Sequence, residues 1–579
     1  MNATPSREVG QPLPCSKRDA EQCGPVGRKA NVVGMPMGIT RAVRWGNGCL
    51  TYDARVSQRN AVLIATILGS AIVFLDGTIV NVALDSIGRE LPTTFVARLE
   101  GLTYVNSAYF VVLSALLILA GALNDFFGRR RMFRIGLVGF GVASVGCGLA
   151  PTMEILIGAR IVQAAFGAVL VPGSLSIITA AFEGEERGGA IGLWAAGTSA
   201  TSIVGPLLGG FLVQSVSWRA AFLINVPLIA IALWATAKVP ESRDTEARGE
   251  FDWLGAGVIA IGVGGLAFGA TRGQERAWQD PIAWAALAVG AVAIVAVPIL
   301  MLTRPRPLVP PSLFGSRNFT VVNLSTFVIY GALYVTLAFQ PLFLQGTLGY
   351  SPLAAGAVGI PIALMLTFLS TPAGQFSARF GPRLFMTIGP IVMAVGLLWL
   401  ARIPAGSEPW RADLADPATL VPPGSTLIDV MLGLFVFGIG ISMLVAPLTT
   451  ALMSSVPVRN AGLGSAINNA VSRVGSPLVS AVLFIVITAT FYPSLTGLVP
   501  GLDVDDPEVR QQVQPLTSTP DGTDPALADA AREASTDAFH LAMLVAAGLL
   551  VAGGAMNAVG IRNPARGAPS TGSTAPAAV

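Results

Sequence analysis

The stretch Leu75-Asp76-Gly77-Thr78-Ile79-Val80-Asn81 places an ionisable side chain deep inside the first long apolar segment of the chain. That segment covers residues 60–84, which is enough for a membrane-spanning helix, and Asp76 lies near its middle. A carboxylate at such depth costs about 2.5–3.5 kcal/mol to insert, and residues of this kind usually have a function and a charged partner. The structural alternative is a polar residue satisfied by Thr78, Asn81 and a neighbouring helix.

The composition indicates an all-α membrane protein. Of the 579 residues, 53% are hydrophobic and only 12% are charged, whereas soluble domains carry about 25% charged residues. The 65 glycines suit helices that pack closely in lipid. A net charge of +3 is too small to indicate a nucleic-acid partner. One histidine and four cysteines without zinc-like spacing predict no metal site and no cofactor, and no nucleophile–base pair indicates an enzyme.

Apolar stretches of about 20 residues recur from Asn60 to the end of the chain and predict fourteen membrane-spanning helices. The predicted spans cover residues 60–84, 101–123, 132–150, 153–182, 190–215, 219–238, 253–272, 281–303, 319–346, 352–372, 383–403, 426–452, 460–491 and 538–560. The polar ends, residues 1–58 and 562–579, are expected to be disordered cytoplasmic tails, and no cleaved signal is expected.

Arginine placement predicts the orientation. With the N-terminus inside, the cytoplasmic loops carry Arg129, Arg130, Arg131, Arg187, Arg243, Arg248, Arg304, Arg306, Arg317, Arg379, Arg383 and Arg459. The outer loops carry fewer, namely Arg89, Arg98, Arg219, Arg272, Arg276, Arg402 and Arg411. The positive-inside rule therefore predicts a multi-pass protein of the cytoplasmic membrane with both termini in the cytoplasm. The longest outer loop, residues 492–537, is acidic and is expected to be solvated or to form a short cap.

An internal repeat divides the chain. Residues 121–130 and 374–383 both read G-x-[LF]-x-x-x-F-G-x-R, and both follow a predicted span on the cytoplasmic side. Such repeats are typical of transporters built from two duplicated bundles with the substrate site between them. We therefore expect six-helix bundles at 59–238 and 317–561, separated by an inserted two-helix hairpin at 239–316.

Four motifs occur in a characteristic order. The first span reads L-D-x-T-I-V-N-V-A-L from Leu75, and residues 121–130 fit G-x-L-x-D-[RK]-x-G-[RK]-[RK] with Phe126 replacing the base. The fourth span carries Arg160, Gln163 and Pro172. The fifth contains Gly205-Pro206-Leu207-Leu208-Gly209-Gly210, followed by Ser217-Trp218-Arg219 and Phe222-Leu223-Ile224-Asn225-Val226-Pro227. Together these motifs resemble the fourteen-span drug:proton antiporters of the major facilitator superfamily over about residues 59–561.

The depth of two buried charges suggests that they pair. At 1.5 Å per residue, Asp76 lies roughly 24 Å above the inner face, and Arg160 lies about 10 Å below the outer face of the fourth span. In a core of about 30 Å these depths nearly agree. We assign Asp76 and Arg160 to proton coupling, with a purely structural buried ion pair as the alternative.

The loop motif predicts an inner gate formed by Gly121, Asp125, Gly128, Arg129 and Arg130. A carboxylate at Asp125 can accept hydrogen bonds from a helix N-terminus or an arginine and so hold the inner face closed. The resemblance to the antiporter family implies that this loop acts as a latch. The alternative is that the arginines only satisfy the positive-inside rule.

The fifth span carries a stripe of small residues four apart. Gly197, Thr201, Gly205 and Gly209 share one helix face, and Pro206 and Gly210 complete the motif. The resemblance implies that this element is associated with exporters, although ordinary tight packing would explain the stripe equally well.

Polar residues at membrane depth are candidates for lining a substrate cavity. The candidates are Tyr109, Gln163, Tyr330, Gln340, Asn468 and Asn469. Side chains of this type are often hydrogen-bonding contacts between helices instead.

These features together predict a monomeric antiporter that exchanges an amphipathic small molecule for protons across the lipid bilayer. Three alternatives stay open: a dedicated exporter of one endogenous metabolite or lipid, an uptake symporter, and a non-transporting membrane sensor or scaffold.

Overall fold

The computed structural model describes residues 43–45, 48–50, 52–94, 98–243, 251–276, 278–413, 416–504, 506–520 and 522–563. Most of the predicted tails, residues 1–42 and 564–579, lie outside this set. Two short strands, β1 (Val43–Trp45) and β2 (Gly48–Leu50), pair antiparallel within the range predicted as an irregular tail. Everything after them in the described chain is helical or loop.

Seven helices form the N-terminal half. They are α1 (Tyr52–Glu90), α2 (Arg98–Phe127), α3 (Arg129–Gly148), α4 (Met153–Ala181), α5 (Gly184–Ser215), α6 (Trp218–Leu223) and α7 (Asn225–Thr236). Helix α1 packs on α4, α5 and α7, and α4 also packs on α2 and α3. The sixth predicted span covers α6 and α7, which are separated only by Ile224. Its φ of −59° and ψ of −25° are still helical, and Pro227 removes one backbone N–H from the following turn.

Two helices, α8 (Trp253–Glu275) and α9 (Pro281–Thr303), form a hairpin after this half. The remaining elements are α10 (Ser312–Gly315), α11 (Arg317–Leu342) with a π-helical extension (Phe343–Thr347), α12 (Pro352–Ala357), α13 (Ile360–Phe380), α14 (Pro382–Leu400), a 3-10 turn (Pro417–Leu420), a π-helical turn (Thr426–Met431), α15 (Leu432–Ser454), a second 3-10 turn (Val458–Asn460), α16 (Ala461–Leu498), α17 (Pro507–Gln512) and α18 (Pro525–Gly560).

The C-terminal half repeats the packing of the N-terminal half. Helix α11 packs on α16 and α18, and α15 packs on α13 and α14. The halves meet mainly where α2 crosses α16 and where α13 crosses α5. Gly121 and Gly374, which open the two repeats, lie at these crossings: a methyl group on Gly121 would lie 2.5 Å from the Gly462 carbonyl oxygen, and one on Gly374 would lie 2.8 Å from that of Gly188. The repeat therefore marks the seam between the halves.

Twelve helical stretches among the described residues are long and apolar enough to cross a membrane. Helices α3 and α5, which occupy the third and fifth predicted spans, are not among these twelve.

The acidic outer loop is shorter than the sequence predicted. Helix α16 continues to Leu498, and α18 begins at Pro525 rather than near residue 538. The Asp524 carboxylate caps α18 by accepting from the Ala526 N–H, and proline fits the first helical turn. Asp529, Glu533 and Asp537 therefore lie on a helix and not in a loop.

The hairpin is held together by backbone contact. A methyl group on Gly290 of α9 would lie 2.6 Å from the Leu266 amide nitrogen, so α8 and α9 cross at van der Waals distance. At the turn, Asp280 accepts from the Ile282 N–H and pairs with Arg272 at 2.6 Å. These two contacts hold the pKa of Asp280 below its usual range.

We expect Gly290→Ala to destabilise the protein, because overpacking against a backbone atom typically costs about 1–3 kcal/mol. Thermal unfolding in detergent, followed by tryptophan fluorescence, measures the effect. Gly257→Ala is the matched control on α8, since a methyl group there meets nothing within 4 Å. Equal melting temperatures for the two variants would contradict the tight crossing.

Candidate functional site

Asp76 lies at the centre of a fully buried hydrogen-bonded cluster. Its Oδ2 pairs with the Arg160 guanidinium, and its Oδ1 accepts from Gln163 Nε2 and Asn225 Nδ2, each at 2.9 Å. Neither Asp76 nor Arg160 has any solvent-exposed surface. The two residues matched by depth are thus in direct contact, and the carboxylate carries three hydrogen bonds.

Arg160 is held on several sides. Its Nε donates to the Val105 carbonyl at 3.1 Å, and its Nη1 also donates to Gln163 Oε1 at 2.7 Å. The guanidinium carbon lies 4.0 Å from the centroid of the Tyr109 ring, which supplies a cation–π contact. Its Nη2 has no hydrogen-bond partner among the described residues. The cation is therefore fixed in position with one donor nitrogen still unsatisfied.

Ser144 and Asn225 complete the cluster. Ser144 Oγ accepts from Gln163 Nε2 at 3.1 Å and from Asn225 Nδ2 at 2.9 Å, and it donates to the Phe222 carbonyl. Asn225 is the first residue of α7. The sixth span thus contributes one side chain to the cluster around Asp76.

Sequence reasoning missed the roles of Ser144 and Asn225. Asn225 belongs to the motif Phe222–Pro227, and that motif was the available sign of a functional residue there. Ser144 had no such sign. Thr78, by contrast, does not support the carboxylate, because its hydroxyl donates to the carbonyls of Phe74 and Leu75. The side chain of Asn81 lies outside the described residues.

The small-residue stripe of α5 packs on α1 around Asp76. A methyl group would lie 2.6 Å from Ile67 if placed on Gly197, 2.0 Å from the Thr78 hydroxyl on Gly205, and 3.3 Å from the Ile79 Cα on Gly209. Thr201, the fourth member, is buried. Gly210 does not join the contact, since a methyl group there meets nothing within 4 Å, and the side chain of Pro206 lies outside the described residues. The stripe brings α5 against the helix that carries the carboxylate.

The predicted inner gate connects the two halves. Asp125 accepts from Arg129 Nε and Nη2 at 3.0 and 2.9 Å, and from the Leu463 backbone N–H at 2.9 Å. Arg129 also donates to the Val458 carbonyl. Asp125 therefore receives hydrogen bonds both from an arginine and from the N-terminus of α16, which are the two partners that the sequence had left as alternatives.

Arg130 has a different environment from Arg129. Its backbone N–H, together with that of Arg131, donates to the Glu241 carboxylate at 3.0 Å, which caps α3. In the second repeat, Asn563 caps α14 by accepting from the Arg383 N–H. Gly128 has a φ of 107° between α2 and α3, a conformation that favours glycine.

Four of the six cavity candidates contact other side chains or backbone groups in the structure. Tyr109 and Gln163 are fully buried in the charged cluster, because a desolvated arginine needs an aromatic face and an acceptor. Asn468 donates to Asn323 and Thr326 of α11, and Asn469 donates to Ser465 within its own helix. These four side chains have hydrogen-bond or cation–π partners in the structure, and their assignment to a substrate cavity stays a prediction.

Two candidates remain. Tyr330 packs against Tyr334 with ring centroids 6.0 Å apart. The buried Gln340 Nε2 has no hydrogen-bond partner among the described residues. For these two residues the cavity assignment likewise stays a prediction.

We expect Arg160→Gln to destabilise the protein by about 3–5 kcal/mol, because it leaves a buried carboxylate without its cation. The double variant Asp76→Asn/Arg160→Gln removes both charges and is expected to recover part of that loss. Thermal unfolding in detergent compares the single and double variants. Strictly additive losses would mean that the two side chains do not interact.

We expect Asp125→Asn to weaken the inner gate, since hydrogen bonds to a charged group are worth about 1.5–3 kcal/mol. This predicts roughly a tenfold or larger shift toward conformations with separated inner ends. Double electron–electron resonance between spin labels at Ile135 and Leu384, exposed residues of α3 and α14, measures the distance between the two inner ends. Arg131→Gln is the control, and an equal shift in both variants would attribute the effect to loop charge alone.

Comparison with known proteins identifies the family. A family model described as the Major Facilitator Superfamily matches residues 66–480, which include Asp76, Asp125 and Arg160. Multidrug resistance protein Stp of Mycobacterium tuberculosis is 32% identical over 443 residues, covering 76% of this chain and 78% of that protein. Puromycin resistance protein pur8 of Streptomyces alboniger is 31% identical over 453 residues, covering 76% of this chain and 85% of that protein. Multidrug export protein EmrB of Haemophilus influenzae is 31% identical over 417 residues, covering 71% of this chain and 78% of that protein.

Solved structures share the fold at low identity. The proton:xylose symporter XylE superposes with a TM-score of 0.53 at 17% identity, covering 85% of this chain and 95% of that one. The human organic anion transporter MFSD10 also superposes with a TM-score of 0.53, at 14% identity, covering 86% of this chain and 99% of that one. The chain belongs to the major facilitator superfamily.

Proposed function

We propose that this protein is a proton-coupled efflux antiporter that exports amphipathic small molecules across the cytoplasmic membrane. Relatives at 31–32% identity are named for multidrug resistance, puromycin resistance and multidrug export, which supports export of such compounds. The observation that carries proton coupling is the buried Asp76–Arg160 pair.

In this proposal all fourteen long helical stretches cross the membrane, including α3 and α5. Helix α3 has 20 residues and is therefore about 30 Å long, which matches the hydrocarbon core. The α8–α9 hairpin is then an insertion between two six-helix bundles. The arginine-rich ends that carry the Asp125 gate face the cytoplasm together with both termini.

The chemistry of coupling follows from the ion pair. An ionised Asp76 is stabilised in the apolar interior by Arg160, whereas a protonated Asp76 is neutral and loses that attraction. Arg160 thereby sets how readily the carboxyl group releases its proton. In this scheme the substrate and the proton both bind the protein while the cluster is charged. They therefore compete, and binding of one favours release of the other.

Alternating access in this scheme is a rocking of the two halves. The hydrogen bonds from the Leu463 N–H to Asp125 and from Arg129 to the Val458 carbonyl cross the seam on the inner side and hold that side closed. They must break before the inner side opens. Helix α5 links this movement to the cluster, since Gly192 contacts α13 while Gly205 contacts α1.

The proton gradient is sufficient for useful export. One proton entering across about 100 mV supplies roughly 2.3 kcal/mol. At about 1.4 kcal/mol per decade, this supports roughly a fortyfold gradient of a neutral substrate. A monovalent cation exchanged for one proton moves no net charge and would be driven by the pH difference alone.

We expect Asp76→Asn to abolish substrate-dependent proton movement. In energised everted vesicles, a transported compound should dissipate the pH gradient with the wild-type protein, because export consumes entering protons. The Asp76→Asn protein should leave the gradient intact and still exchange labelled for unlabelled substrate at equilibrium. A pH-sensitive fluorescent dye and a radiolabelled compound measure the two activities.

The control is Asp429→Asn, near the outer end of α15, where the carboxylate accepts from Ser407. This variant should couple like the wild type. A fully coupled Asp76→Asn protein would contradict the proposal. A resistance profile across a panel of unrelated compounds separates broad export from export of one metabolite.

A further inference from the structure

We propose that the outer end of the molecule carries a lipid site, which holds one acyl chain of a phospholipid between the α8–α9 turn and the outer third of α16. A cleft of about 770 Å³ lies there. Phe484, Ile485 and Ala489 of α16 form one wall, and Trp278 of the hairpin turn faces them. We call this space the outer cleft. The inference goes beyond transport and requires only that α16 spans the membrane.

The position of the outer cleft follows from α16. Its first turn, at Ala461, carries the contact with Asp125, and Phe484 lies 23 residues further along the same helix. At 1.5 Å per residue the separation is roughly 35 Å, about one hydrocarbon thickness. The outer cleft is therefore at the opposite membrane surface from the inner gate.

The walls of the outer cleft belong to different halves. Helix α8 is fixed on α2: a methyl group on Gly264 would lie 3.0 Å from the Ala115 Cβ, and Arg272 donates to the Tyr104 hydroxyl. At the inner end, Phe251 contacts Phe126, with ring centroids 5.5 Å apart. Helix α16 belongs to the C-terminal half, where it packs on α11 and α18, and it also crosses α2 and touches α8. A movement between the halves therefore changes the width of the outer cleft.

The lining favours an acyl chain. The side chains of Phe484 and Ile485 are 38% and 63% exposed, and in a membrane such an apolar helix face is covered by lipid tails. A cleft of several hundred Å³ is in the range that holds a small ligand. It extends to Val504 and Arg510 beyond the end of α16. Its lining on α16 thus includes the apolar side chains of Phe484 and Ile485, and the charged Arg510 lies at the outer end.

The rim supplies groups that suit a lipid head. The Trp278 indole Nε1 is buried and has no hydrogen-bond partner among the described residues. The guanidinium of Arg510 lies 4.9 Å from the Tyr492 ring centroid and brings positive charge to the same end. Tryptophan, tyrosine and arginine are the residues found at headgroup level. An ester or phosphate oxygen would accept the indole hydrogen bond.

The conformation of Trp278 is consistent with a fixed role. Its φ of 63° is unusual for a bulky side chain and persists only where the surroundings impose it. The ring lies against Gly273, where a methyl group would come within 2.5 Å of it. Trp284 reinforces this by donating to the Trp278 carbonyl at 3.0 Å. The turn thus holds one indole against the outer cleft.

Photo-crosslinking of the full chain tests the site. The protein is reconstituted in phosphatidylethanolamine and phosphatidylglycerol, with a trace of phosphatidylglycerol carrying a diazirine on its acyl chain. Peptide mass spectrometry should locate saturable labelling at residues 484–497. Ala489→Trp, which fills the outer cleft, should remove most of that labelling. Trp278→Phe should reduce it about fivefold, as expected for one lost hydrogen bond.

The control is Val292→Trp on α9, a position that is 71% exposed and outside the outer cleft, which should label like the wild type. Labelling that is unchanged by Ala489→Trp, or equally strong on α9, would overturn the proposal in favour of non-specific lipid contact. Loss of transport in Ala489→Trp with unchanged lipid labelling would also overturn it and indicate the exported compound as occupant. The labelling measurement uses neither substrate nor gradient, so the lipid result is independent of the proposed antiport.

Discussion

The buried ion pair Asp76–Arg160 is the constraint on which the packing of the N-terminal half depends. Two charges without solvent contact are tolerable only when each also has hydrogen bonds, and here Gln163, Asn225 and Val105 provide them. Meeting this requirement brings α1, α2, α4 and α7 together around the pair. In the proposed mechanism, a neutral Asp76 loses its attraction to Arg160, and this loss changes the balance of these contacts.

Close approach of backbones is the second constraint, and glycine supplies it at every important crossing. Gly205 brings α5 against α1, while Gly121 and Gly374 bring the two halves into contact. Lipid tails are as apolar as the helices, so packing distance rather than hydrophobic burial determines which helices associate. The same type of contact therefore connects the charged cluster to the seam between the halves.

The sequence predicted the helical class, the positions of the long helices and the pairing of Asp76 with Arg160, and it predicted the arginine and helix N-terminus that donate to Asp125. These features follow from hydropathy, helical rise and a visible repeat, all of which are local. It did not reveal that Tyr109 and Gln163 contact Arg160, because polarity at membrane depth does not show which neighbour a side chain faces. It also missed Ser144 and Asn225, since their partners are set by helix rotation, and it misplaced the start of α18, whose cap at Asp524 outweighed the polar composition of the region.

The central claim is that Asp76 gains and loses a proton while Arg160 faces it. Infrared difference spectroscopy of the reconstituted protein tests this directly, because a protonated carboxylic acid has a carbonyl stretch that a carboxylate lacks. The account predicts that such a band appears as the pH is lowered, shifts when a transported compound is added, and is missing in Asp76→Asn. A wild-type spectrum without that band across the pH range of transport, or the same band in Asp76→Asn, would contradict it.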